Sequence, residues 1–192
     1  MIRQDRISQM YIVLAMMLTV YLATFENTTL ILFPGLLLTF GLVMEFYLEK
    51  KREETPARDK GSLKEIAFYT VMALLGFYLT SFGVSQLPMS IQLPTFTALA
   101  YVILMAIAEE QFFRGFITDL FLAKLSHPYQ ALLMSGTTFA IYHIARYGTQ
   151  ADAMIYVFAG GIILSWVAYK SRRLSPGMNG HIINNVRSLL GV

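Results

Sequence analysis

The chain runs as long apolar blocks parted by short polar or charged breaks, and seven such blocks can be drawn. The first covers residues 7–25 and the second 30–47, with Pro34-Gly35 inside it as an expected kink. A charged linker from Glu49 to Glu65 follows, broken by Pro56 and Gly61. The third block is 66–84, and an uncharged polar loop, 85–94, leads into the fourth and longest, 95–125. Asp119 and Lys124 mark the far end of that block as the one that leaves the bilayer. Ser126-His127-Pro128 reads as a turn, with Pro128 suited to the first turn of the next helix. The fifth block is 129–146, the sixth 151–169, where Gly160-Gly161 permits close helix contact, and a short seventh is 178–190. Blocks of this length predict membrane spans. The expected fold is all-α: a polytopic transmembrane helical bundle of about seven spans, eight if a short one is hidden, around a polar intramembrane cavity. Residues 1–192 read as one membrane-embedded domain whose motif-bearing core is 94–190.

Composition agrees. Of 192 residues 56% are hydrophobic and 14% charged, whereas a soluble domain carries about a quarter charged residues. Cysteine is absent, which removes disulfides, thiolate metal sites and a cysteine nucleophile. The net charge of +3 does not call for nucleic acid. Of the 15 basic residues, all but Arg114, Arg146 and Arg187 fall in segments that an inside N-terminus would place in the cytoplasm. The basic residues of the linker serve as a topology signal and a contact for anionic lipid. Residues 11–25 lack a small-residue cleavage site and read as a retained span rather than a signal peptide.

The polar residues inside these blocks carry the candidate chemistry. Glu109, Glu110 and Arg114 lie in the fourth block. An ionisable group at membrane depth costs about 2.5–3.5 kcal/mol on insertion scales and is a functional-site hypothesis by default. Glu110 and Arg114 are i,i+4 and share a helix face, so they can pair, while Glu109 points about 100° away toward another neighbour. His143 lies in the fifth block, and His181 and Asn185, again i,i+4, in the seventh. Together they offer a carboxylate, two imidazoles, an amide and a clamped second carboxylate. That set suits hydrolysis: a carboxylate and a histidine hold and deprotonate a water, and a second histidine with an amide stabilises the oxyanion. The same Glu109, His143 and His181 are also a zinc-type ligand set with an open position. Structural readings stand beside these, with Glu110–Arg114 as a plain ion pair and the histidines and Asn185 as hydrogen-bonding links between helices. Phe112, Phe113, Phe116 and Phe121 read as packing or lipid contacts.

Glu109-Glu110-Gln111-Phe112-Phe113-Arg114, Phe139 with His143, and His181 with Asn185 match, in order, the EExxxR, FxxxH and HxxxN motifs of a known family. From about Pro94 to Leu190 the chain resembles the CAAX protease and bacteriocin-processing (CPBP, or Abi) family of intramembrane proteases, which includes the type II CAAX prenyl endopeptidases. The resemblance implies a glutamate-type intramembrane endopeptidase without a metal cofactor, zinc being the older description. Glu109 and His143 would activate water, His181 and Asn185 would form the oxyanion hole, and Glu110 and Arg114 would support them. Eukaryotic members remove the three residues after a prenylated cysteine, and CAAX-processing members typically have eight spans. The length here suits a compact prokaryotic member acting on a membrane-anchored protein or a peptide precursor, in the plasma membrane and without nucleic acid.

Two further expectations concern depth. Counted inward from opposite faces at ~1.5 Å per residue, Glu109 and His143 would each lie roughly 21 Å deep and miss each other by about 12 Å in a slab of roughly 30 Å. His181, near the inner end of its block, favours a site that opens to the cytoplasm. The competing functions are a non-catalytic membrane partner or immunity protein, and a proton-coupled carrier relaying through Glu109 and His143. The lack of an inverted repeat weighs against the carrier.

Overall fold

Each apolar block forms one helix. The structure is a computed structural model that describes residues 2, 4–25, 29–51, 62–82 and 95–191. The helices are α1 (Arg6–Phe25), α2 (Thr29–Lys51), α3 (Leu63–Phe82), α4 (Phe96–Lys124), α5 (Pro128–Tyr147), α6 (Ala151–Ser171) and α7 (Ser175–Leu190). No strand occurs among the described residues. Most of the expected linker and the expected polar loop fall on 52–61 and 83–94, outside the described residues.

Five helices, α1, α2, α3, α4 and α6, are long and apolar enough to cross a membrane, which makes this an integral membrane protein. Helices α5 and α7 fall short of that measure. The 16-residue α7 is too short, and α5 carries Gln130, Ser135, Thr137, Thr138, His143 and Arg146. Two of the three helices that hold the polar chemistry, α5 and α7, are therefore less lipid-like in sequence than the rest.

Element ends shift for local reasons. Helix α7 starts at Ser175, earlier than expected, with Pro176 in its first turn, where a missing N–H costs nothing. Pro34 lies inside α2 but early enough that only the bond back to Leu30 is forfeited.

Helix α4 is the centre of the bundle. It packs against α1, α2, α5, α6 and α7, and 56% of its span is buried, against 22% for each of α1, α2 and α3. It is not regular throughout. Phe96–Glu110 is α-helical, Gln111–Thr118 is a π-helix, and Asp119–Lys124 returns to α. A π segment widens the turn and rotates the faces that follow it, and such segments gather at functional sites.

Three features hold the widened segment. Gly41 of α2 brings backbone against backbone, for a Cβ there would lie 3.0 Å from Phe112 N and Cα. Thr118 Oγ1 donates to Phe113 O at 2.8 Å, inside the segment. The same hydroxyl meets Ser135 of α5 at 2.6 Å and Ser165 of α6 at 3.3 Å, and those two meet at 2.9 Å. This fully buried triangle of hydroxyls ties three helices at one level. Just beyond it α5 and α6 touch through glycines, a Cβ on Gly161 falling 2.9 Å from Gly136 Cα.

Candidate active site

The site forms where α4 passes from α to π geometry. Glu109 and Glu110 are the last α-helical residues there, and Arg114 sits in the π segment. Glu110 and Arg114 are both fully buried, and Arg114 Nη1 lies 3.0 Å from Glu110 Oε1. That contact is an ion pair without hydrogen-bond alignment. Arg114 Nη2 donates to Gly161 O at 3.3 Å, and the guanidinium lies 4.5 Å from the centroid of the Phe139 ring. The other Glu110 oxygen, Oε2, is buried without a hydrogen-bond partner among the described residues. It fits against Gly177, where a Cβ would fall 2.7 Å away.

Glu109 turns to a different neighbour. Its Oε1 lies 3.9 Å from His143 Nε2 and its Oε2 3.5 Å from His181 Nε2. The far nitrogen of each imidazole is already committed. His143 Nδ1 donates to Phe139 O at 2.9 Å, and His181 Nδ1 donates to Glu110 Oε1 at 2.8 Å. Both rings thus present Nε2 to one carboxylate, and Glu110 holds Arg114 and His181 at a single oxygen. Phe139 is a shared wall, 4.4 Å from the His143 ring and 6.0 Å from that of His181.

The structure therefore brings Glu109, Glu110, Arg114, His143 and His181 together. Asn185 does not join them by any hydrogen bond among the described residues. It is half-buried, one turn beyond His181. Its neighbour Asn184 is the buried amide, accepting at Oδ1 from Tyr156 O–H at 2.9 Å. Tyr142, which sequence reasoning passed over, donates its O–H to Glu109 Oε1 at 3.4 Å. Only its place beside His143 could have signalled it.

The depth expectation for Glu109 and His143 is corrected. Glu109 and His143 meet because α4 and α5 form a hairpin through the turn at Leu125–His127, and that turn is the proper origin for counting. From Lys124 back to Glu109 and from Pro128 on to His143 the rise is the same, about 22 Å. The sequence count instead began at two opposite faces of a slab that α4, at 29 residues, outruns. Nor does His181 lie near water because it lies near the start of α7. That start is itself buried, Leu174, Ser175 and Met178 being wholly inaccessible, and Ser175 Oγ donates to Asp5 Oδ2 at 2.5 Å.

Burial differs on the two sides of the site. Toward the Leu125–His127 turn it is closed by fully buried Gln111, Arg114, Thr118 and Ser135. In the other direction, Ile144, Ala145 and Arg146 are exposed directly after His143. Glu109, His143 and His181 are themselves only 4%, 9% and 5% exposed.

Glu109, His143 and His181 have the donor types of a catalytic zinc centre. Among the described residues, however, no group of three or more such side chains is disposed to hold a metal ion.

A family model described as type II CAAX prenyl endopeptidase Rce1-like matches residues 91–187, the stretch that contributes every one of these site residues. No curated protein and no solved structure matches the chain.

Proposed function

Because this chain belongs to the type II CAAX prenyl endopeptidase Rce1-like family, we propose that it is an intramembrane endopeptidase that hydrolyses a peptide bond of a membrane-associated protein or peptide with Glu109 as the base. The observation that carries this reading is the placement of Glu109 between the Nε2 atoms of His143 and His181. With Nδ1–H given to Phe139 O, neutral His143 offers Nε2 as an acceptor. A water between Nε2 and Glu109 Oε1, which stand 3.9 Å apart, would give one hydrogen to each. Its oxygen attacks the carbonyl carbon while Glu109 takes the proton. The proton then passes to the amide nitrogen as the C–N bond breaks, leaving a carboxyl and an amine end.

His181 is suited to the oxyanion. Carrying both ring protons it gives Nδ1–H to Glu110 and directs Nε2–H into the site. Asn185 serves as a second donor only if it turns toward substrate. Tyr142 steadies the oxygen of Glu109 that faces His143. The unit as a whole is one membrane-embedded protease of seven spans, with α5 and α7 completing the bundle.

The test is cleavage of a quenched peptide library in detergent by the wild type, His143→Ala and His181→Ala. Each variant should fold and lose about a hundredfold or more of kcat/KM. Full turnover in either would remove its assigned role. A strong chelator should leave wild-type cleavage intact; inhibition reversed by zinc would shift the reading to a metal centre.

Orientation follows from charge. The excess of basic residues on one side argues for a cytoplasmic N-terminus, which puts the α5–α6 turn on the far side of the membrane. The protein has no cysteine, so Thr149→Cys in the α5–α6 turn gives a clean probe. An impermeant maleimide should label it in intact cells; labelling only after lysis would invert the orientation.

A further inference from the structure

We propose that Gln4 and Glu45, acting through Gln111, form a latch that sets where α4 widens and so positions the Glu109–Glu110 carboxylate pair. The inference rests on the endopeptidase reading for its kinetic part only. Glu45 belongs to none of the motifs, yet it is a carboxylate held inside a membrane bundle, 5% exposed on α2. A charge placed there against the cost of burial calls for a role.

Its hydrogen bonds indicate one. Glu45 Oε2 accepts from Gln4 Nε2 at 2.7 Å and, more closely still, from Gln111 Nε2. Gln4 Nε2 also reaches Gln111 Oε1 at 3.4 Å. Gln111 is fully buried, follows Glu110 directly and is the first residue of the π segment. Gly115 leaves room for this arrangement. A Cβ there would lie 2.9 Å from Gln111 Nε2 and 3.5 Å from Glu45 Oε2. At the other end of the segment, the Ile2 N–H donates to Asp119 Oδ1 at 3.2 Å. The short stretch ahead of α1 thus engages both ends of the widened region, Gln4 at its start and Ile2 just past its end.

The carboxylates that face the two histidines are the last ones before the widening. A shift in where the π geometry begins would rotate Glu109 away from His143 and Glu110 away from His181. Misplacement by about 1 Å is enough to cost about a hundredfold in turnover. Glu45, Gln4 and Gln111 are positioning residues in this account, since none of them touches Glu109.

The experiment compares wild type, Glu45→Ala, Glu45→Gln and Gln4→Leu in detergent, by peptide-cleavage kinetics and by amide hydrogen exchange over residues 109–119. Glu45→Ala should lower kcat about a hundredfold with KM unchanged, and speed exchange in that stretch. Glu45→Gln keeps an oxygen where Oε2 accepts, and should recover most of the turnover and the protection. A structural role alone would lower the melting temperature while leaving kcat per folded molecule and the local exchange as in wild type, and that result overturns the proposal. So does a Glu45→Gln variant as slow as Glu45→Ala. If Glu45→Ala does not fold, Gln4→Leu carries the test, with the same direction of change expected and wild-type values overturning it. Should the wild type cleave no peptide, the endopeptidase reading fails, while the exchange measurement still decides the latch.

Discussion

Glu109→Gln is expected to leave the bundle folded and to cut peptide turnover by about a thousandfold or more. The substitution is nearly isosteric, and Glu109 is 4% exposed, so little packing changes. It is not ion-paired with Arg114, the guanidinium that Glu110 holds. What the variant loses is the group that accepts the proton of the attacking water. His143 cannot substitute fully, because its Nδ1 is fixed on Phe139 O and its Nε2 then lacks the partner that shares the water. Residues that act as a unit are non-additive, so Glu109→Gln with His143→Ala should be scarcely slower than Glu109→Gln alone. The measurement is kcat/KM on a quenched peptide, with circular dichroism to confirm the helices. Retention of a tenth of wild-type turnover in Glu109→Gln would end the proposed mechanism. So would full multiplicative loss in the double variant, which would mean that the two side chains act on different steps.

How much of this was readable from the chain differs from feature to feature. The seven helices follow from block length, because the hydropathy pattern is long-range and insensitive to side-chain detail. The division between Glu109 and Glu110 was readable in part: a rotation of 100° per residue sends Glu110 to Arg114 and Glu109 to His143, while their shared contact with His181 was not foreseen. Depth was not. It depends on which turn two helices share, and only the Leu125–His127 hairpin supplies the common origin for Glu109 and His143. Asp119 shows the same limit: it was read as marking a wet helix end, yet it is 3% exposed and accepts from the Ile2 amide. A chain-distant partner, invisible to any local pattern, inverts its environment. The π segment likewise leaves no sign in Gln111–Thr118, for what stabilises it comes from Gly41, Ser135, Ser165 and Glu45 on other helices. The amide on α7 differs in kind. The motif singles out Asn185, whereas packing buries Asn184 against Tyr156, and no periodicity argument separates two adjacent asparagines.

Arg114→Met should be the most destabilising single change at the site, by about 3–5 kcal/mol. Methionine fills much of the same volume, so the cost is not a cavity. It arises because Glu110, fully buried, would lose the guanidinium it pairs with and keep only its hydrogen bond from His181. The Gly161 carbonyl would lose its donor, and the Phe139 ring its cation. A structural ion pair and a catalytic support both predict this loss, and the double variant separates them. Glu110→Gln with Arg114→Met removes both charges, and replacing a buried pair together is often close to neutral for stability. The denaturation midpoint of the double variant should therefore return most of the way to wild type. Turnover should not return with it, because Glu110 is also the acceptor that orients His181 through Nδ1. A double variant that regains both stability and cleavage would show that Glu110 and Arg114 serve the fold alone. One that regains stability alone places Glu110 in the line that runs from Arg114 through His181 to the water at Glu109.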